Sequence, residues 1–156
     1  MRAHADVQVE PRSSGNGRRL RISAPPAIGT PLAWEAAEGH ARSGAPADLV
    51  AYAASALAAE GLRLKDPPVL LRHGPGDHGL PPLAGGDGYA FAIDLTDARR
   101  TLDGGLLLFV DGDGRAEGWR AEAGALTLWR GADPVLTEMA PGAPQRLTLV
   151  GRATTV

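Results

Sequence analysis

ALTLWRGADPVLTEMAPGAPQRLTLVG, residues 125–151, is the stretch on which the fold turns. It reads as a strand, a Gly-Ala-Asp-Pro turn, a second strand, a Pro-Gly turn and a third strand opened by Arg146. Short apolar or alternating runs cut by glycine and proline are the signature of antiparallel β-structure. The run closes a β-sandwich around that arginine.

Upstream the same texture recurs. VLLRHG (69–74), YAFAIDLT (89–96), GLLLFVD (105–111) and AEGWRAE (116–122) are short β segments separated by Gly/Pro/Asp clusters. Seven or eight strands at this spacing indicate an all-β sandwich or barrel. APADLVAYAASALAAEGLRL is the one helix. Asp48 is its expected N-cap, Leu49, Tyr52, Ala53, Ala56 and Leu57 form one face, and Gly61 ends it. Around residues 20–24, Leu20 and Ile22 alternate with arginines, which predicts a short half-exposed strand stopped by Pro25, Pro26 and Pro31. The expected division is a flexible start over 1–19, a proline-rich segment over 20–47 and a β domain over 48–156.

Composition bounds the function. The chain has 156 residues, 44% hydrophobic and 22% charged, with net charge −2 and mixed signs. That suits one globular domain and argues against a nucleic-acid partner. Arg18, Arg19 and Arg21 read as a solvated flank. There is no cysteine, so thiolate metal sites and cysteine nucleophiles are excluded, and Lys65 is the only lysine. No apolar run approaches the ~18 residues a membrane span needs, and the N-terminus has no apolar signal core. The expected location is cytoplasmic, away from membranes.

Four segments, in order, resemble the iron(II)/2-oxoglutarate-dependent oxygenases of the prolyl-hydroxylase type. LRHGPGD (71–77) is similar to the strand and turn before that family's metal motif, and TLDGGLLLF (101–109) to its Gly-Gly-x-Leu segment. AEAGALTLWRG (121–131) is similar to its Pro-x-x-Gly-x-Leu turn and strand, and QRLTLVG (145–151) to its closing strand. The resemblance implies a mainly β fold, a double-stranded β-helix (jelly roll) with one N-terminal helix on its major sheet. It also implies that Arg146 occupies the place of the arginine that holds the distal carboxylate of 2-oxoglutarate.

Family members hold iron with two histidines and a carboxylate, the first two ligands as His-x-Asp. Counting from Gly76-Asp77, that slot falls on Pro82-Leu83-Ala84, and the distal histidine's slot on Pro134. The four histidines are His4, His40, His73 and His78, so none follows residue 78. The resemblance therefore implies a degenerate member, with iron not expected as cofactor. A set of His78, Asp87 and Asp133 is the remaining metal alternative. Arg146 has two readings, a carboxylate clamp for 2-oxoglutarate or another small carboxylate, or a strand-initiating arginine paired with Glu138. His73, His78 and Trp129 are the other candidate ligand-binding residues. The two histidines read as loop or pocket-rim residues, and Trp129 as a core aromatic. Trp119 is expected on the outer face of its sheet. DGDG (111–114) is a hairpin turn rather than a calcium loop, and AGGDG (84–88) does not open a helix as a phosphate loop would.

Three functions are compatible with these features. The first is a non-catalytic, oxygenase-like subunit for a related active partner, or a homodimer. The second is a metal-independent binding module for a small carboxylate. The third is an iron-free enzyme in which His73 or His78 works with Asp77 or Asp87; no serine elbow supports a triad.

Overall fold

The computed structural model describes residues 12–14, 16–84 and 87–156. Its strands are β1 (Arg12–Ser14), β2 (Gly17–Arg21), β3 (Glu35–Ala37), β4 (His40–Gly44), β5 (Leu62–Leu64) and β6 (Val69–His73). They continue as β7 (Tyr89–Asp94), β8 (Leu107–Val110), β9 (Ala116–Trp119), β10 (Ala125–Trp129), β11 (Val135–Leu136) and β12 (Arg146–Thr155). Helix α1 (Ala47–Ala58) lies between β4 and β5. Among the described residues, the large antiparallel sheet runs β1-β2-β10-β7-β12-β6-β4-β3, with β5 added on β12. A small sheet runs β11-β8-β9.

The large sheet has an apolar layer on each face. On its outer face, Leu49, Ala53 and Leu57 of α1 pack against Leu70, Phe91, Ile93, Leu126, Leu128 and Leu149. On its inner face, Leu71, Ala92, Trp129 and Val150 meet Leu107, Phe109, Trp119 and Leu136 of the small sheet. Strands β7 and β10 are therefore buried on both faces. That is why they read as near-continuous apolar runs rather than alternations. The mainly β, jelly-roll architecture with one helix on the major sheet is the one the sequence predicts.

Local chemistry sets the helix bounds. The N-cap is Pro46, extended at φ −60° and ψ 156°, and not Asp48. Asp48 sits in the first turn, where its Oδ1 accepts the Leu49 amide at 3.0 Å. At the other end the Gly61 amide bonds to Ala58 O, with Gly61 at φ +73°, where glycine avoids the Cβ clash.

Two expectations about the N-terminal part need correction. Of the stretch 1–19 expected to be flexible, residues 12–14 and 17–19 are strand, and residues 1–11 and 15 lie outside the described residues. β2 pairs along β10, Gly17 opposite Trp129 and Arg21 opposite Ala125. Gly17 lies against the Phe109 ring, and a Cβ there would stand 2.6 Å from Phe109 Cζ. The segment 20–47 supplies β3 and β4 to the same sheet as β6 and β12. Of the glycine-rich AGGDG, residues 85–86 lie outside the described residues.

Between β6 and β7 the described residues form no named strand, but they still run beside the small sheet. Gly76 N bonds to Met139 O, Met139 N to Asp77 O, and Gly79 N to Leu136 O, at 2.8–2.9 Å. This segment and the turn before β11 form the mouth of the sandwich.

Candidate functional site

Polar side chains cross the inner face of the large sheet as a belt, one strand after another. Arg146 of β12 lies opposite His73 of β6, and Thr148 opposite Asp94 of β7, so register places all four on one face. Arg19 of β2 lies opposite Thr127 of β10. Arg19, His73, Asp94, Thr127, Arg146 and Thr148 are all buried.

Asp94 is the hub. Its Oδ1 accepts Arg146 Nη2 at 2.8 Å and its Oδ2 accepts Arg19 Nη2 at 3.1 Å. Oδ2 also takes the Glu122 amide at 3.1 Å. Arg146 is satisfied at every nitrogen, with Nε on Thr148 Oγ1 at 3.1 Å and Nη1 on Gly105 O. Arg19 gives Nε to Thr127 Oγ1 at 3.2 Å and Nη1 to Arg120 O at 2.7 Å, and its guanidinium lies 5.2 Å from the Trp119 ring centre. A cavity bordered by Arg146, Asp103 and Met139 holds ≈10 Å³, room for no more than one water.

Several sequence expectations change here. Arg146 is paired with Asp94, not with Glu138, which is exposed. Arg19 is no solvated flank but fully buried. Trp119 faces inward, 1% exposed, 5.3 Å from the Phe109 ring centre, with Nε1 donating to Glu117. The signal for Asp94 was in the sequence, since an acid closing the buried run YAFAID needs a buried cation. Arg19 left no comparable signal, because flanking Arg18 and Arg21 are exposed and share its chemistry.

The mouth is closed by a second carboxylate. Asp133 Oδ1 accepts Ala84 N at 2.7 Å and Trp129 Nε1 at 2.9 Å, and Oδ2 accepts Leu83 N at 3.0 Å. This brings the Pro82–Ala84 segment against Asp133–Pro134, the two places the family resemblance assigns to metal ligands. The side chains at Pro82, Ala84 and Pro134 carry no donor atom, and both Asp133 oxygens are committed to N–H groups. These residues do not fit an iron ion. The alternative set is not assembled either. His78 is exposed, with its amide on Gly39 O, Asp87 is exposed beside Ala84 and Arg130, and among the described residues no three metal-ligating side chains are gathered.

His73 is a strand residue, not a loop residue, and it ends β6 fully buried. Its Nε2 meets Gly79 O at 2.8 Å, and its ring stacks on His40 with centres 5.0 Å apart. Burial pushes its pKa down to about 4, with the Gly79 carbonyl opposing and His40 and Arg146 adding to the fall. His73 Nδ1 and both His40 nitrogens are buried without a hydrogen-bond partner. His78 stays at the rim of an adjoining cleft of ≈370 Å³ that His40 also lines. The structure thus brings Arg146 and His73 together on the inner face, while Trp129 joins Asp133 at the mouth and His78 stands apart. Asp111 confirms DGDG as a turn, its Oδ1 taking the amides of Asp113 and Arg115 at 2.9 Å. Among the described residues, no helix is long and apolar enough to cross a membrane.

No protein-family model matches the chain, and no curated protein matches its sequence. Among solved structures, it is similar to the crystal structure of a Pseudomonas putida prolyl-4-hydroxylase. The TM-score is 0.58 at 19% identity, over 79% of this chain and 78% of that one. What the two proteins share at this distance is the fold, mainly β and of the jelly-roll type.

Proposed function

We propose that this chain is a non-catalytic member of the oxygenase-like β-helix proteins, serving as a structural or regulatory subunit for a related chain that carries the iron ligands. The observation that supports this reading is Asp94 on Arg146. In the resembling enzymes the equivalent arginine waits for a carboxylate of 2-oxoglutarate; here a carboxylate of the chain itself occupies that guanidinium. Arg19 fills further space on the same face. The inner face thereby becomes a closed structural core, and the mouth is pinned by Asp133 where metal ligands would stand. Each nitrogen of this buried guanidinium is held by the chain itself, so a carboxylate ligand would have to displace Asp94, and breaking that buried pair costs several kcal/mol.

The test is metal analysis of the purified protein, followed by calorimetric titration with 2-oxoglutarate, with and without iron(II) or manganese(II), under anaerobic conditions. The expected result is substoichiometric metal and no heat of binding in either titration. Stoichiometric metal with metal-dependent binding overturns the proposal and makes the chain an oxygenase with unusual ligands. Metal-free binding lost in Arg146→Ala overturns it in favour of a small-carboxylate binding module.

A further inference from the structure

We infer that His73 and His40 form a proton-operated latch, which holds the β3–β4 hairpin on β6 and releases it when His73 takes up a proton. The pair sits toward the opposite edge of the large sheet from Arg19. Failure of the latch would leave the reading of Asp94 on Arg146 untouched.

One nitrogen of His73 is committed. Gly79 O can only accept, so Nε2 carries the hydrogen of their 2.8 Å bond and Nδ1 is left with a lone pair. That lone pair is buried without a hydrogen-bond partner, and so are both nitrogens of His40. Ala41 pairs with Arg72, which sets His40 level with His73 on the neighbouring strand. The two rings stack with 28° between their planes, so His40 covers a His73 that is itself fully buried.

A proton on Nδ1 turns this lone pair into a buried, unpartnered N–H on a cation, which is costly without an acceptor. The surroundings offer none. From β12 comes Arg146, a like charge that opposes protonation. From the segment after β6 come exposed His78 and Asp77, which favours the proton but gives its Oδ2 to the Gly74 amide. Glu35 and Glu38 of β3 and its turn are exposed, as is Arg42 of β4, and Arg72 of β6 stacks on Trp34. Among the described residues, no carboxylate makes an ion pair with either histidine. The smallest movement that relieves the cation is that of the hairpin. It forms the edge of the sheet, and within β3 and β4 only His40 and Ser43 are buried. Edge elements with so few buried contacts open more readily than a core. Lifting the hairpin takes His40 off His73, lets water reach Nδ1 and breaks the bond from the His78 amide to Gly39 O.

The experiment is amide hydrogen exchange on the full chain, followed by NMR at pH 7 and pH 5 and corrected for the intrinsic pH dependence of exchange. The lower value lies beneath the ordinary histidine range and above that of aspartate, so His73 titrates apart from the carboxylates. The closed state binds the proton less well than the open one, so closure is fully favoured above pH 6.5 and weakens below it. With His73 at about 4 when closed and near 6.5 when open, protection of the β4 and His78 amides should fall about twentyfold. At both pH values it should stay at least about tenfold below that of β7 and β10, the mark of an opening smaller than global unfolding. In His73→Leu the fall should shrink to less than about twofold. His40→Ala opens Nδ1 to water and should shrink it too, which decides the matter if His73→Leu does not fold. No fall in the wild type, a full fall in either variant, or β4 protection equal to that of β7 and β10 each overturns the inference.

Discussion

Asp94 governs what Arg146 can do, and both residues sit where a small chemical change has a large effect. Asp94→Ala leaves two buried guanidinium groups without their shared carboxylate. Stability should fall by roughly 3–5 kcal/mol, the cost of breaking a buried pair from one side, read from urea denaturation. Added formate or acetate should restore part of the loss, since either anion fits the vacated space; no rescue beyond that given by chloride would count against the hub role. His73 makes a separate prediction. Its folded pKa of about 4 lies below its unfolded value near 6.5. Between those values the unfolded chain binds more protons, so the contribution is complete above pH 6.5 and is lost as pH falls to about 4. The loss is on the order of 3 kcal/mol. Denaturation curves across this range should be steeper in pH for the wild type than for His73→Leu. At this scale Arg146 was legible from its place before an apolar strand and Asp94 from its place at the end of a buried one, but their pairing was not, because the two are 52 positions apart.

Elements explain which parts of the fold could be read. β7 and β10 declared themselves because they are buried on both faces and nearly continuously apolar, and β6 and β12 because apolar residues flank their polar positions. β3 (Glu-Ala-Ala) and β4 (His-Ala-Arg-Ser-Gly) carry neither apolar runs nor alternation, so pairing with β6, rather than their own composition, makes them strands. The mouth was legible only as a loss, three family positions without metal donors, whereas its actual device is the Asp133 clasp. Asp133→Ala frees Leu83 N, Ala84 N and Trp129 Nε1 together. Expected are a destabilisation of about 1–3 kcal/mol and faster hydrogen exchange at Leu83 and Ala84, with β7 amides unchanged; equal acceleration in β7 would mean the clasp is not local. In the same way Gly17→Val should be severely destabilising, because its side chain would enter the Phe109 ring, and a differential scan would register the lowered midpoint.

At the scale of the whole molecule, the expected boundary at residue 48 runs through one continuous sheet. β2 brings Arg19 to Asp94, and β4 covers β6. A truncated chain of residues 48–156 should therefore lack cooperative unfolding in circular dichroism, whereas a sharp transition near the full-length midpoint would show that the earlier strands are dispensable. The helix tells the complementary story. Its apolar face was correctly read from spacing alone, because a surface helix on a sheet needs one stripe and nothing more.

The two oxygens of Asp94 also impose an order of events on biosynthesis. Arg19 leaves the ribosome before Asp94, yet the second guanidinium comes later, from β12, which is itself the strand between β6 and β7. Until residues 146–155 have been made, β6 and β7 lack the neighbour that joins them, and a carboxylate meant for burial has half its counter-charge. The large sheet can therefore close only once residues 146–155 have emerged, and until then its apolar strands are exposed to aggregation.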